Sequence, residues 1–192
     1  FCFCVVFFIF LLSAGLTISC ADNKTAKQET EFWLGADLGW ITEYEAQGHK
    51  FYNNEGQERE CTALMKELGL NAVRHRVWVD PSGHGNWCSK EDLLVKCLRA
   101  KALDMEILVD FHYSDWWADP AKQNIPASWS GHSYEQMKQD LWDHTVDVLQ
   151  MLKDNDIEPK WIQVGNETRN GMLWPDGQLW TEKGDIKNGW KN

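Results

Sequence analysis

The sequence predicts an α/β fold, a (β/α)8 barrel present as roughly its first four βα units, and three observations lead there. Short apolar runs alternate with stretches of helical periodicity. That alternation requires parallel strands and right-handed crossovers, which a doubly wound sheet and a barrel both satisfy. No G-x-G-x-x-G or G-x-x-x-x-G-K comes after any apolar run, so the phosphate loop of nucleotide-binding sheets is absent. The segments after the runs are instead polar and aromatic: WVDPSGHGNW, then FHYSDWWADP, then GNETRNG. Chemistry gathered at the carboxyl ends of successive parallel strands marks a barrel enzyme.

Taken in order, residues 32–38 read as the first strand. Cys61, Leu64, Met65 and Leu68 form a helical stripe closed by Gly69, where a left-handed cap belongs. Residues 72–79 are strand-like, and Leu93, Leu94, Cys97 and Leu98 make a second helix with Ser89 at its N-cap and Asp92 three residues on. Residues 105–111 form a third strand. Ser133 and Gln136 make a capping box that opens a long helix carrying Tyr134, Met137, Leu141, Thr145, Val148 and Leu152. Residues 161–165 are the fourth strand. Roughly 160 residues lie beyond the leading segments, against about 250 in a complete barrel, so the sequence is expected to hold about half of one. The last strand is then expected to expose an unpaired, aggregation-prone edge.

Composition narrows the function. Of 192 residues 43% are hydrophobic, which excludes a disordered tail, and the net charge of −10 argues against a nucleic-acid partner. Twelve tryptophans stand out, and flat, weakly polar faces line sugar clefts as well as cores. Residues 1–20 carry no charge and end in small residues before a polar linker at 21–31, the pattern of a signal peptide whose basic start is missing. The run ending at Cys20 resembles a lipoprotein processing box, with Thr17 an imperfect fit. A lipoprotein, a plainly secreted protein and a retained anchor stay open, and all three are exported. Domain organisation is therefore residues 1–20, 21–31 and 32–192. Cys61, Cys88 and Cys97 show no metal-ligand spacing; Cys61 and Cys97 read as buried small hydrophobes, and a Cys88–Cys97 disulfide is left open.

The sharpest site is the run ending at Gly165-Asn166-Glu167. A strand that ends in Asn-Glu sets a carboxyl group at the barrel mouth, where it could protonate a glycosidic oxygen, with an amide beside it for the sugar 2-hydroxyl. A glycosylation acceptor or an ordinary loop is the plainer alternative for Asn166-Glu167-Thr168. In residues 72–79, Val73, Val77 and Val79 alternate toward helices while Arg74, Arg76 and Trp78 point inward, and His75 reads as a packed histidine. A guanidinium inside a barrel must meet a carboxylate. The favoured partner of Arg74 is a catalytic carboxylate outside this chain, the alternative a structural pair with Asp37 or Asp110. Asp110, His112 and Ser114 share an inward face. His112 has no second histidine at ligand spacing, so neither a metal nor another cofactor is expected. Trp87, Trp116, Trp117 and Trp129 lie in loops and read as sugar-stacking platforms, and Asp37 lies on the same floor as Arg74.

GADLGW (35–40), FYN (51–53), VRHRVWVDP (73–81), LVDFHYSDWWADP (108–120), VGNE (164–167) and RNGMLWPDG (169–177) together resemble the arabinogalactan endo-β-1,4-galactanases of glycoside hydrolase family 53. The resemblance runs from about Phe32 to Gly177. It implies a retaining barrel glycosidase acting on β-1,4-galactan, with Glu167 as general acid/base and Asn166 beside the sugar 2-hydroxyl. It further implies Arg74 near the nucleophile and Asp110 and His112 on the strand-three floor. The nucleophile it implies, a glutamate after strand seven, has no counterpart here, nor has the late loop through which some members bind calcium. The 192-residue chain alone is expected to be inactive. Two rivals stand beside this reading: another retaining barrel glycosidase such as a mannanase or cellulase, and a non-catalytic surface glycan-binding lipoprotein.

Overall fold

A computed structural model describes residues 32–181. The expected signal peptide, the lipidation site at Cys20, the linker at 21–31 and the segment after Thr181 lie outside the described residues. The elements run β1 (Gly35–Asp37), α1 (Ile41–Ala46), β2 (Phe51–Tyr52), β3 (Glu58–Arg59), α2 (Cys61–Glu67), β4 (Ala72–Val77), α3 (Lys90–Ala102), β5 (Glu106–Phe111), α4 (Tyr134–Asp154) and β6 (Trp161–Val164).

The sheet decides between the two architectures that alternation allows. Its four strands are parallel and lie in the order β1-β4-β5-β6, the order of the chain itself. A doubly wound sheet reverses direction at a switch point and covers both faces. Here the order never reverses. One face, made by Val73, His75 and Val77 of β4 with Ile107, Val109 and Phe111 of β5, is buried. It packs with Leu93, Cys97 and Ala100 of α3 and Met137, Val148 and Leu152 of α4 into the hydrophobic core. The opposite face carries Asp37, Arg74, Leu108 and Trp161 in one register row and Arg76, Asp110 and Gln163 in the next. The architecture is that of successive βα units of a (β/α) barrel, with a polar inner face.

Local chemistry sets the boundaries. Ser89 Oγ accepts from the Asp92 N–H at the start of α3, and Ser133 and Gln136 exchange both hydrogen bonds of a capping box. Gly69, at φ +94°, ends the α2 turn as expected. The first strand is shorter than residues 32–38 because the Asn71 side chain takes the Leu34 N–H at 2.7 Å in place of a ladder partner. Residues 78 and 79 also leave the ladder, since the Trp78 N–H goes to Cys88 O and the Val79 N–H to Ser114 O. Helix α1 and the β2–β3 hairpin escape periodicity altogether: the first buries only Ile41 and Thr42, and the second pairs two residues a side. Tyr134 faces outward rather than joining the α4 stripe.

Strands β1 and β6 form the two edges, and Ile162 and Val164, on the helix-facing side of β6, are exposed. Cys61, Cys88 and Cys97 are all free and buried, so the open Cys88–Cys97 pairing is not made. Burial pushes the Cys61 thiol up to about 11 and the Cys97 thiol to about 12, which leaves both unreactive. No described helix is long and apolar enough to cross a membrane.

Candidate active site

The inner face converges on one guanidinium. Arg74, in the middle of β4, donates through Nη1 to Asp37 of β1, through Nη2 to Asp110 of β5 at 2.6 Å, and through Nε to Gln163 of β6 at 3.2 Å. A further bond runs from Nη2 to Asn166 Oδ1 at 2.9 Å, just past the end of β6. The flat, five-donor fork of arginine makes such a four-way junction possible; a lysine could not span it. Every strand of the sheet is thereby tied to one residue. The expectation that Arg74 waits for a carboxylate outside the chain is corrected: Asp37 and Asp110 already neutralise it.

Asp110 is fully buried, and its Oδ2 also lies 2.8 Å from His112 Nε2. The Ala118 N–H donates to His112 Nδ1 at 3.2 Å, which assigns the imidazole proton to Nε2, facing Asp110, although it lies off the line of a full hydrogen bond. His112 is thus held by the carboxylate and a loop amide. Among the described residues no group of three His, Cys, Asp or Glu is arranged to hold a metal ion.

Arg76 sits deeper, 4.2 Å over the Trp117 ring and 5.3 Å from Trp78, with Asp37 Oδ1 at 3.7 Å. Glycine at position 39 leaves room for that guanidinium, since a Cβ there would lie 2.8 Å from Arg76 Nη1 and push the side chain aside. Its carbonyl is in turn fixed by the buried Lys96 ammonium at 2.9 Å and the Cys88 thiol at 3.1 Å, which anchor the turn after Asp37 to α3.

The tryptophans divide. Trp117 is 38% exposed beside His112, with ring centroids 5.7 Å apart, and offers a surface to the open side. Trp116 is packed between Trp78, at 4.4 Å, and the imidazole of His84, stacked at 3.7 Å. Trp87 is half-buried against Gly85. Trp129 is a correction: it is buried in the core with Phe111 and Tyr113, because a short 3-10 turn at Ala127–Trp129 folds its side chain inward. Ser114 is buried, its N–H given to His112 O.

Asn166 and Glu167, adjacent in sequence, have opposite environments. Asn166 is buried, its Oδ1 taken by Arg74 and Gln163 and one of its two amide hydrogens given to Ala118 O at 2.7 Å. This disfavours it as a glycosylation acceptor, since its amide nitrogen is already tied to Ala118 O within the fold. Glu167 is exposed, at φ +50°, and its carboxylate makes no hydrogen bond or ion pair among the described residues. The chain reverses sharply here, with Gly165 at φ +87°. Among the described residues nothing encloses the Glu167 carboxyl, since the polar neighbours on this face are bonded to one another and to Asn166.

Sequence reasoning missed Gln163 and Gln123. Period-two alternation places Gln163 on the inner face with Asp110, so it was within reach. Gln123 carries no such signal; it lies in a loop, and only the fold brings it against the backbone of residues 166 and 167.

Comparison with known proteins agrees with this geometry. The profile of Glycosyl hydrolase family 53 matches residues 33–192. An endo-beta-1,4-galactanase of Bacillus subtilis is 37% identical over 157 residues, covering 78% of this chain and 36% of its own. An arabinogalactan endo-beta-1,4-galactanase of Thermothelomyces thermophilus is 35% identical over 146 residues, covering 76% and 43%. A glycoside hydrolase family 53 catalytic domain of known structure from Ignisphaera aggregans superposes with a TM-score of 0.70 at 38% identity, covering 77% and 43%. The chain thus spans less than half the length of these relatives. With the sequential parallel sheet and the strand-end Asn-Glu in hand, the match leaves one conclusion: this chain belongs to glycosyl hydrolase family 53.

Proposed function

We propose that the protein containing this chain is an endo-acting, retaining glycoside hydrolase that cleaves β-1,4-galactosidic bonds in galactan and arabinogalactan of plant pectin, and that this chain supplies the amino-terminal part of its barrel. One observation carries the reading. Asn166 is locked into the Arg74–Asp110–Gln163 network, so the adjoining Glu167 stands at the carboxyl end of the sheet with its carboxyl group free.

In this reading Glu167 is the general acid that protonates the departing oxygen and then the general base that activates water. The second amide hydrogen of Asn166 is free to meet the sugar 2-hydroxyl, and Trp117 offers a ring face. The nucleophile, a glutamate from outside this chain, would stand about 5–5.5 Å from the acid, as retaining chemistry requires. Asp37 and Asp110 keep Arg74 neutralised beneath the reacting sugar. The relatives named as galactanases support galactan over mannan or cellulose as substrate. Export, by signal peptide and with or without a lipid on Cys20, belongs to the same proposal and rests on the uncharged run at residues 1–20.

The test uses the complete protein with galactan, mannan and cellulose. Galactan alone should be cleaved, and Glu167→Gln should lower its turnover by about 100-fold or more while leaving substrate binding in place. Near-normal turnover in that variant refutes the assignment. Cleavage of mannan or cellulose with galactan untouched refutes the substrate, and binding without cleavage of any glycan makes this a binding protein.

A further inference from the structure

We infer that Gln123 is a positioning residue for the proton transfer, acting through the backbone of Glu167; this rests on the reading of Glu167 as the general acid. The Glu167 carboxylate has no side-chain partner among the described residues, so only the course of its main chain aims it. That course is unusual: Gly165 and Glu167 both have positive φ, at 87° and 50°, on either side of buried Asn166. For a residue with a Cβ the left-handed region is disfavoured and persists only where the surroundings impose it.

Gln123 is what the fold supplies there. It lies in the loop after β5, is itself buried, and points its amide nitrogen at three carbonyl oxygens: Asn166 O at 2.8 Å, Asp119 O at 3.3 Å and Glu167 O at 3.4 Å. Its own main-chain carbonyl accepts the Trp174 N–H at 2.6 Å, which pins the glutamine to the segment on the far side of the Asn-Glu turn. The clamp therefore grips the turn through its carbonyls while Arg74 grips it through the Asn166 side chain. Arg74 fixes Asn166, and Gln123 fixes the direction in which the next residue leaves the chain. The Glu167 oxygen also accepts the Arg169 N–H at 2.8 Å from within the turn itself, so Gln123 is the clamp that reaches the turn from outside, with its shortest bond to Asn166 O.

A clamp of this kind acts on the chemical step more than on binding. If the turn relaxes, the acid no longer reaches the departing oxygen, and the loss depends on how much that oxygen needs its proton. The experiment compares aryl β-1,4-galactobiosides with graded leaving groups, in the complete protein. It reads kcat/KM, which reports bond cleavage, alongside circular dichroism. Gln123→Met keeps the length and volume but offers no donor, and Gln123→His restores a nitrogen donor at similar reach.

With Gln123→Met, kcat/KM should fall about 10–100-fold for phenol-class leaving groups and less than about threefold for dinitrophenol, and Gln123→His should recover most of the loss. An equal loss on every leaving group, or none, overturns the inference. Gln123→Leu, smaller and likewise without a donor, answers the same question if the methionine variant does not fold. Glu167→Gln is run beside them. If it too shows no leaving-group dependence, the acid assignment itself fails; if it does and Gln123→Met does not, only the positioning role falls.

Discussion

Replacing Arg74 with Met removes the one group that touches all four strands of the sheet, and the structure sets the size of the effect. Four hydrogen-bonded partners lose their donor: Asp37, Asp110, Gln163 and Asn166. They do not suffer equally. Asp37 is about one-third exposed and can recover water, and Gln163 and Asn166 still bond to each other at 3.2 Å. Asp110 has no such escape. It is fully buried, its Oδ1 has no partner among the described residues, and only the His112 ring remains beside Oδ2. Removing one partner of a buried pair costs about 3–5 kcal/mol because the other charge is stranded. Arg74 retains some solvent access, which favours the lower end, about 3 kcal/mol. Asp110→Asn removes the stranded charge, so the double variant should recover about 2 kcal/mol relative to the sum of the single changes. Urea unfolding followed by tryptophan fluorescence, on wild type, both single variants and the double, measures the coupling. An Arg74→Met cost below about 1 kcal/mol, or strict additivity, would show that Asp110 is not held by Arg74 in the way described.

Two further outcomes stem from burial. His75 and His144 are held neutral, with burial the main cause, and their folded-state values fall to about 3 and about 4 against an ordinary value of 6.5. The unfolded chain therefore binds protons that the folded one refuses. Their contribution to stability is complete above about pH 6.5 and declines as pH falls, by about 1.4 kcal/mol per unit for each histidine, or about 2 kcal/mol each by pH 5. His144→Phe, placed among the rings of Phe111, Tyr113 and Trp129, should remove about half of that slope in urea titrations at pH 7 and pH 5; an unchanged slope contradicts it. The tryptophan division is tested by pairing Trp129→Ala, expected to cost about 3–5 kcal/mol of stability, with Trp117→Ala, expected to raise KM about 5–10-fold at a smaller cost to stability, that of uncovering Arg76. The reverse pattern would exchange their roles.

Much of the fold is readable because its signals are local. The capping box at Ser133, the N-cap at Ser89 and the glycine after α2 act within four residues, and period-two alternation in residues 72–77 and 106–111 reports which side faces helices. The polar, aromatic segments at the strand ends point to a barrel, and the sequential strand order bears that out. Where interactions are long-range, sequence is a poorer guide. The Arg74 junction joins residues up to 92 positions apart, and alternation puts Arg74 inside without choosing among its partners. Trp129 misleads because a loop tryptophan looks the same whether a turn folds it inward or leaves it out. Gln123 is invisible, since its partners are backbone carbonyls, which have no sequence signature at all.

Chemical rescue gives the most direct reading of what Glu167 does. In the complete protein, Glu167→Ala should cleave a dinitrophenyl β-galactobioside slowly, and added azide should accelerate it while yielding a β-configured glycosyl azide. A small anion then stands where the base belongs, and retention is preserved. Turnover indifferent to azide, or an α-configured azide, would contradict a retaining mechanism run through this residue.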